Sequence, residues 1–401
     1  MKVAHFCDSE PGRADGVAAS AGLSVDLLRA AGHQVSHYHP GRLRSVGIPG
    51  RQIRLAAPWV TADPGEPAEI VHVHTAGPVG MAGFRLAVAR GLPLVFTWHT
   101  DLVGYADHFL EIPIGAAYCA ARLGLGWRPR EYLELAERAG RRRSRLLALG
   151  RGFAERTSLF IAPSRKTAQA LTDFGPLPPV WTIPTPVTAP SSGQVSRADL
   201  RQELTLPPDA PVVLTVGRVT PEKRPELLLH AFARVLERRP DARLVMLGAD
   251  QRRRRVLALV RSLGLTDRVR LVPPVPRDRV EDYYRMADVL AFAATTDTQS
   301  LVLAEAEAAG LPVVLADAGL SERPGDPQST RMTCEPDAES LGAGLLRMLE
   351  DPALRERTSR AGVAAAVAYP PERYLARLLG AYRQALAVGA RVGSGAGASR
   401  G

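Results

Sequence analysis

Thr295–Gly310 reads TTDTQSLVLAEAEAAG. Before it, Val289–Phe292 is a short apolar run of strand type. Thr296–Ser300 is polar, and Leu301–Ala309 is built from Leu, Ala and Glu, which favour helix. The stretch is therefore a strand end, a polar turn and a helix start. Backbone N–H groups at the head of a helix have no intrahelical partner, so the turn is a seat for a phosphate or another anion. Asp297 stands before that helix and Glu305 within it, eight positions apart. A carboxylate beside an anion seat has hydroxyls to hold, and a sugar or a ribose supplies them.

Outward from this turn the same rhythm repeats. The C-terminal half alternates strands at Val212–Val216, Leu244–Leu247, Val269–Leu271, Val289–Phe292 and Pro312–Leu315 with helices at Glu226–Arg239, Gln251–Leu263, Glu281–Met286 and Leu301–Ala309. Helices near Ala338–Leu349, Ala353–Ala368 and Pro371–Leu386 follow. In the N-terminal half, strands at Val3–Cys7, Gln34–Tyr38, Ile70–His74, Leu92–Trp98, Leu159–Ala162 and Val180–Ile183 frame helices at Val17–Ala31, Val79–Arg90 and Ser164–Phe174. Only the helical tract from Thr100 to about Phe153 breaks the pattern. Alternating strands and helices predict parallel sheets covered on both faces. The fold class is α/β, with two Rossmann-like domains facing a central cleft at the carboxyl ends of both sheets. The boundaries fall at 1–186, a Pro- and Gly-rich linker at 187–210, a second domain at 211–370, a helix at 371–388 free to cross back to the first domain, and a disordered tail at 389–401.

The 401 residues suffice for two or three domains with sizeable cores. A formal charge of +10 admits an anionic partner such as nucleotide phosphates or a membrane surface. Aromatic residues make up only 5% and do not interleave with basic ones, which argues against nucleic acid. Cys7, Cys119 and Cys334 are scattered without metal-ligand spacing, in keeping with a reducing cytosol. With no signal-like start and no long apolar stretch, the expected location is cytoplasmic, with peripheral contact at the inner membrane face left open. Only three of the 51 basic residues are lysine, Lys2, Lys166 and Lys223. Lys223 lies five residues after Arg218, on the turn that leaves the Val212–Val216 strand, and two cations there suit a diphosphate.

Gly217-Arg-Val-Thr-Pro-Glu-Lys223, Ala287-Asp-Val289, Thr296–Glu305 and Ala309-Gly-Leu-Pro-Val-Val314 together resemble the donor-binding half of the retaining GT-B glycosyltransferases of family four, or group 1. The resemblance implies that Arg218 and Lys223 meet the donor diphosphate, that Glu305 holds the ribose, and that Asp297, where the family has Glu, contacts the donor sugar. It places Gln299, Ser300 and Leu301 at sugar and phosphate, with Ser300 where the family usually has Gly. In the N-terminal half it places Gly16 by the donor, His99 beside the donor sugar as an active-site residue, and His74 and Asp101 on the acceptor side. His72 and His74 lie two apart on one strand face without a third ligand nearby in the sequence, so they are read as packing or hydrogen-bonding residues.

The resemblance further implies a metal-independent hexosyltransferase with no cofactor, whose co-substrate is a nucleotide diphosphate sugar, expected to be a UDP-sugar. The acceptor is a hydroxyl of a small molecule, aminocyclitol-like or a secondary metabolite, or of a lipid-linked one. Breaking the anomeric bond places negative charge on the diphosphate, so Arg218, Lys223 and the helix head act as fixed donors. No Asp-X-Asp motif is present to hold a metal. Retention is expected through attack from the leaving-group face. The basic run Arg138–Arg145 is either a solvated helix face or a contact with anionic lipid. Asp101, Asp107 and Glu111 would instead suit a cationic acceptor. Two alternatives share the architecture: a nucleotide-sugar 2-epimerase, and a non-catalytic nucleotide-sugar-binding protein.

Overall fold

The computed structural model describes every residue except 14, 49–53, 64, 66, 110, 138–139, 188–194, 250–252 and 398–401. Arg138 and the expected helix start at Gln251 thus lie outside the described residues, as do residues 188–194 of the expected linker. In chain order the first elements are β1 (Lys2–Phe6), α1 (Gly16–Ala30), β2 (Gln34–Tyr38), β3 (Ser45–Gly47), β4 (Arg54–Ala56) and β5 (Ile70–Val73). Next come α2 (Pro78–Arg90), β6 (Leu94–Thr97), α3 (Leu102–Ala106), α4 (Glu111–Leu123), α5 (Pro129–Leu133) and α6 (Gly140–Ala154). Then follow β7 (Leu159–Ala162), α7 (Arg165–Leu171), β8 (Val180–Thr182), α8 (Arg197–Glu203), β9 (Val212–Val216), α9 (Pro225–Arg238), β10 (Arg243–Leu247) and α10 (Arg253–Ser262). The rest are β11 (Val269–Val272), α11 (Arg277–Met286), β12 (Val289–Phe292), α12 (Leu301–Ala308), β13 (Val313–Leu315), β14 (Met332–Thr333), α13 (Ala338–Glu350), α14 (Pro352–Ala368) and α15 (Pro371–Gly397).

The chain divides into two compact units, Met1–Thr185 with Glu372–Gly401, and Pro186–Pro371. Each holds one six-stranded sheet, ordered β2-β1-β5-β6-β7-β8 in the first unit and β11-β10-β9-β12-β13-β14 in the second. Every neighbouring pair in both sheets is parallel. Strands such as Ile70–Val73 and Val289–Phe292 are buried along their whole length, as apolar runs covered by helices on both faces must be. The strand order reverses between β1 and β5 in the first sheet and between β9 and β12 in the second. Crevices at such reversals, outside the carboxyl ends of the strands, are where open α/β sheets bind ligands.

The core of the first unit centres on Phe84, Phe96, Trp98, Phe153 and Phe160, whose rings meet mostly edge-on at 5.2–6.1 Å between centroids. Each such ring, fully buried, contributes about 1.5–3 kcal/mol of transfer free energy. The second unit packs Leu228, Phe232 and Val235 of α9 and Leu341, Leu345 and Met348 of α13 over one sheet face. Leu200, Tyr283, Leu303 and Leu320 cover the other.

Three features depart from the expected element map. Residues 195–210, read as linker, carry helix α8, capped by Ser196 and anchored in the second unit by buried Leu200 and Arg201. At seven residues, with Leu200 its one buried apolar side chain, α8 is too short for a periodic signal. The antiparallel pair β3–β4 is likewise too short to read from alternation. Helix α15 runs on to Gly397, past the end near Leu386 and into the stretch expected to be disordered, since each added residue costs little once a helix is nucleated.

Candidate active site

In the second unit the switch-point strands deliver the residues singled out above. Strand β9 ends at Gly217, whose φ of 138° only glycine adopts readily. A Cβ at Gly248, on the neighbouring strand end, would lie 2.6 Å from the Gly217 carbonyl oxygen, so the backbone there is packed tightly. Arg218 follows, half exposed, with its guanidinium 3.7 Å from the buried Glu222 carboxylate. Glu222 accepts from the Thr220 hydroxyl at 2.5 Å. Lys223 closes a short 3-10 turn, Pro221–Lys223, before Arg224 takes left-handed geometry at φ 50° and α9 begins.

Lys223 and Asp297 are 74 residues apart in sequence, yet Lys223 Nζ donates to both Asp297 oxygens at 2.7 and 2.8 Å. Asp297 is 8% exposed, so the ammonium is its charge partner in a largely dehydrated spot. Lys223 Nζ also lies 5.8 Å from the Phe292 ring centre. Gly217, Arg218, Lys223, Phe292 and Ala294 line a recess at these strand ends.

Helix α12 starts immediately after Ser300, and no side chain caps it. Ser300 itself has φ 58° and ψ 101°, a strained conformation for a residue with a Cβ. A glycine, which the resemblance leads one to expect at this position, would adopt this conformation without that strain. Gln299 is buried beside it. Glu305 accepts from Arg277 Nη2 at 2.8 Å and from the Tyr284 hydroxyl at 3.0 Å. Burial first, and the Glu305 carboxylate second, hold the Tyr284 phenol well above its ordinary range, so it stays a donor. The motif reading missed Arg277 and Tyr284, because a partner 21 or 28 residues away leaves no local signal.

In the first unit Gly16 is the first residue of α1, which Asp15 caps by accepting from Ala18 N at 2.8 Å. Asp101 caps α3, accepting from Gly104 N at 2.9 Å. Asp107 pairs with Arg142 at 3.2 Å, so two of the three carboxylates assigned to a cationic acceptor have structural partners. The run beyond Arg138 is also paired internally: Arg141 with Glu137, Arg143 with Asp173, and Arg145 with Glu131 and Glu134. These pairs leave little uncompensated charge for a lipid surface.

His99 is partly exposed, and burial pushes it down to about 4, so it is neutral at pH 7. His74, read as an acceptor contact, is 1% exposed, with its ring nitrogens engaged by His5 at 2.9 Å and His99 at 3.4 Å. The absence of a third histidine near His72 and His74 is corrected by the fold. Parallel pairing sets His5 opposite His72, and nitrogens of His5, His72 and His74 lie within 4.8 Å of one another. Asp8, two residues past the end of β1, was also missed. It accepts from Val79 N, Gly80 N and the Thr75 hydroxyl and so caps α2. Burial, the larger effect, raises its carboxyl above the usual range despite those donors.

Among the described residues, no helix is long and apolar enough to cross a membrane. A family model described as "Glycosyl transferases group 1" matches residues 196–364, and one described as "Glycosyltransferase Family 4" matches residues 14–189. The chain is 38% identical over 201 residues to D-inositol 3-phosphate glycosyltransferase of Thermobifida fusca, covering 48% of this chain and 46% of that protein. A similar protein from Acidothermus cellulolyticus is 36% identical over 205 residues, covering 49% of this chain and 45% of that one. The chain thus spans about half the length of the inositol-phosphate relatives it matches. In fold it is similar to sucrose-phosphate synthase from Thermosynechococcus elongatus, with a TM-score of 0.72 at 22% identity over 96% of this chain and 99% of that one. Anabaena HepE, solved with UDP and glucose, gives a TM-score of 0.59 at 16% identity over 99% of this chain and 100% of that one. These likenesses give both units the GT-B architecture.

Proposed function

We propose, starting from a chain that belongs to the group 1, or family 4, glycosyltransferases, that it moves a hexose or amino-sugar from a UDP-sugar to a hydroxyl of a small cyclitol-like acceptor. The observation that carries this reading is the Lys223–Asp297 pair at the ends of β9 and β12, beside the uncapped head of α12. There a cation and a run of helix amides meet a diphosphate, while Asp297 and Glu305 take sugar and ribose hydroxyls. As the anomeric bond breaks, charge grows on the leaving diphosphate, and Arg218, Lys223 and the α12 amides are the groups that would stabilise it. The acceptor attacks from the leaving-group face, so the product keeps the donor's anomeric configuration. Neutral His99 serves the donor sugar as a hydrogen-bonding group.

That these relatives are D-inositol 3-phosphate glycosyltransferases supports a cyclitol acceptor. The internally paired basic run favours a small acceptor over a lipid-linked one. None of the relatives named above is an epimerase, so transfer is the reading retained. A thermal-shift panel of UDP, GDP, ADP and their sugars tests the donor. A UDP-sugar at 100 times its dissociation constant stabilises the protein by about 2.7 kcal/mol. Stabilisation by no nucleotide overturns the proposal, and an epimerised donor sugar would favour the 2-epimerase. Incubation with inositol phosphates, aminocyclitols and lipid-linked alcohols identifies the acceptor class. Proton NMR of the product reads the anomeric configuration, and inversion removes the retaining mechanism.

A further inference from the structure

Tyr284 and Arg277 grip one carboxylate from one helix. Both lie on α11, seven residues apart, which is close to two helical turns, so they share a helix face. Glu305 of α12 accepts from Arg277 Nη2 through Oε1 at 2.8 Å and from the Tyr284 hydroxyl through Oε2 at 3.0 Å. Each carboxylate oxygen thus has a donor from α11, and each keeps lone-pair capacity for a ligand hydroxyl.

The two grips differ in kind. Tyr284 is 3% exposed, and its ring belongs to the buried cluster that contains Leu290 of β12 and Leu303 and Ala306 of α12. Leu303 and Ala306 flank Glu305 on its own helix, so the packing that places the ring also places the helix that carries the carboxylate. Burial first, and the Glu305 carboxylate second, hold the phenol well above its ordinary range, so it donates at neutral pH. Arg277 is the opposite case. Its side chain is 63% exposed, and it opens α11, where the helix dipole disfavours a cation. An ion pair exposed on that side contributes little and is screened by salt.

A glutamate has three rotatable side-chain bonds, and ordering them opposes binding. Where a neighbour has already ordered the carboxylate, a ligand binds without that loss. Two adjacent hydroxyls gain most, because they need both oxygens in place at once.

We infer that Tyr284 is a positioning residue that fixes Glu305 for the ribose diol and so makes the nucleotide site selective for ribose over dideoxyribose, with Arg277 a secondary, salt-screened contact. The ligand class is a ribonucleoside diphosphate. Ribose at Glu305 rests on the transferase reading, whereas the choice of Tyr284 over Arg277 rests on burial and packing alone.

Calorimetric titration of the full chain with UDP and with its dideoxyribose analogue tests this. The ratio of the two affinities cancels the contributions of base and diphosphate and leaves the ribose hydroxyls. The wild type should prefer UDP. Tyr284→Phe keeps the ring and should shrink that preference roughly 10-fold, as for one hydrogen bond to a charged group, with little change for the analogue. Arg277→Gln should shrink it only about 2-fold, and only at low salt. In a Glu305→Ala background, adding Tyr284→Phe should change the preference no further, because the hydroxyl acts through that carboxylate. A folded Tyr284→Phe protein with the wild-type preference overturns the inference, even if its Tm has fallen. So does a wild-type preference that collapses at high salt, which would make Arg277 the fixing group. That second measurement needs no variant and decides if Tyr284→Phe does not fold. A wild type that binds neither ligand, or both equally, removes the ribose from Glu305 and overturns the functional reading together with the inference. A wild-type preference that Tyr284→Phe leaves intact overturns the inference alone.

Discussion

Glu307→Gln tests what anchors the helix that carries Glu305 and follows Ser300. Glu307 sits on α12 between two buried guanidiniums. It accepts from Arg323 Nε at 2.7 Å and from Arg331 Nε and Nη2 at 3.0 and 2.7 Å. The side chains of Arg323, Arg331 and Glu307 are 1%, 3% and 5% exposed. The wild-type cluster already holds two positive charges against one negative, offset by donation to the carbonyls of Leu320, Glu322 and Thr330. Glutamine keeps the volume but removes the carboxylate that both guanidiniums share and turns an amide N–H₂ toward guanidinium donors. Breaking a buried ionic cluster in this way costs about 3–5 kcal/mol. With a urea slope of about 2 kcal/mol/M, the midpoint should fall by about 1.5–2.5 M. Trp59, Trp98, Trp127 and Trp181 all lie in the first unit, so circular dichroism follows both units while tryptophan fluorescence follows only the first. The dichroism transition should shift by that amount. A shift below about 0.5 M would refute the argument that this cluster anchors α12.

Ser300→Gly should relieve the strain at φ 58° and raise the Tm by about 2–4 °C, corresponding to about 1 kcal/mol, while Ser300→Val should lower it; differential scanning calorimetry decides, and a fall in Ser300→Gly contradicts the strain. Lys223→Ala removes the cation facing Asp297 and should lower kcat by about 10²–10³ with a small change in donor KM, and full activity in steady-state kinetics would remove Lys223 from the site. Glu305→Ala should instead weaken UDP in calorimetry, since it frees Arg277 and Tyr284 of their carboxylate. Stability should fall as pH drops from about 6.5 toward 4. His37, His72 and His99 are lowered to about 4, 3 and 4 in the folded chain, so the unfolded chain binds more protons throughout that window. Each loses up to about 1.4 kcal/mol per pH unit, and a Tm flat from pH 7 to 5 would refute neutral burial of these rings.

The amino-acid sequence by itself determined the alternation of strands and helices and the turn at Thr295–Gly310, because both are written in spacings of two and three to four residues. It also marked Arg218, Lys223, Asp297 and Glu305, since strand-end turns fall at predictable points in such alternation. Only the tertiary structure decided who partners whom. Lys223 meets Asp297 across 74 residues, and Tyr382 meets His5 across 377. Glu307 finds two arginines, and His5 joins His72 through sheet register. Such pairs depend on strand order and on the return of α15 to the first sheet. Those follow from burial summed over the whole chain, so no short stretch of sequence contains them.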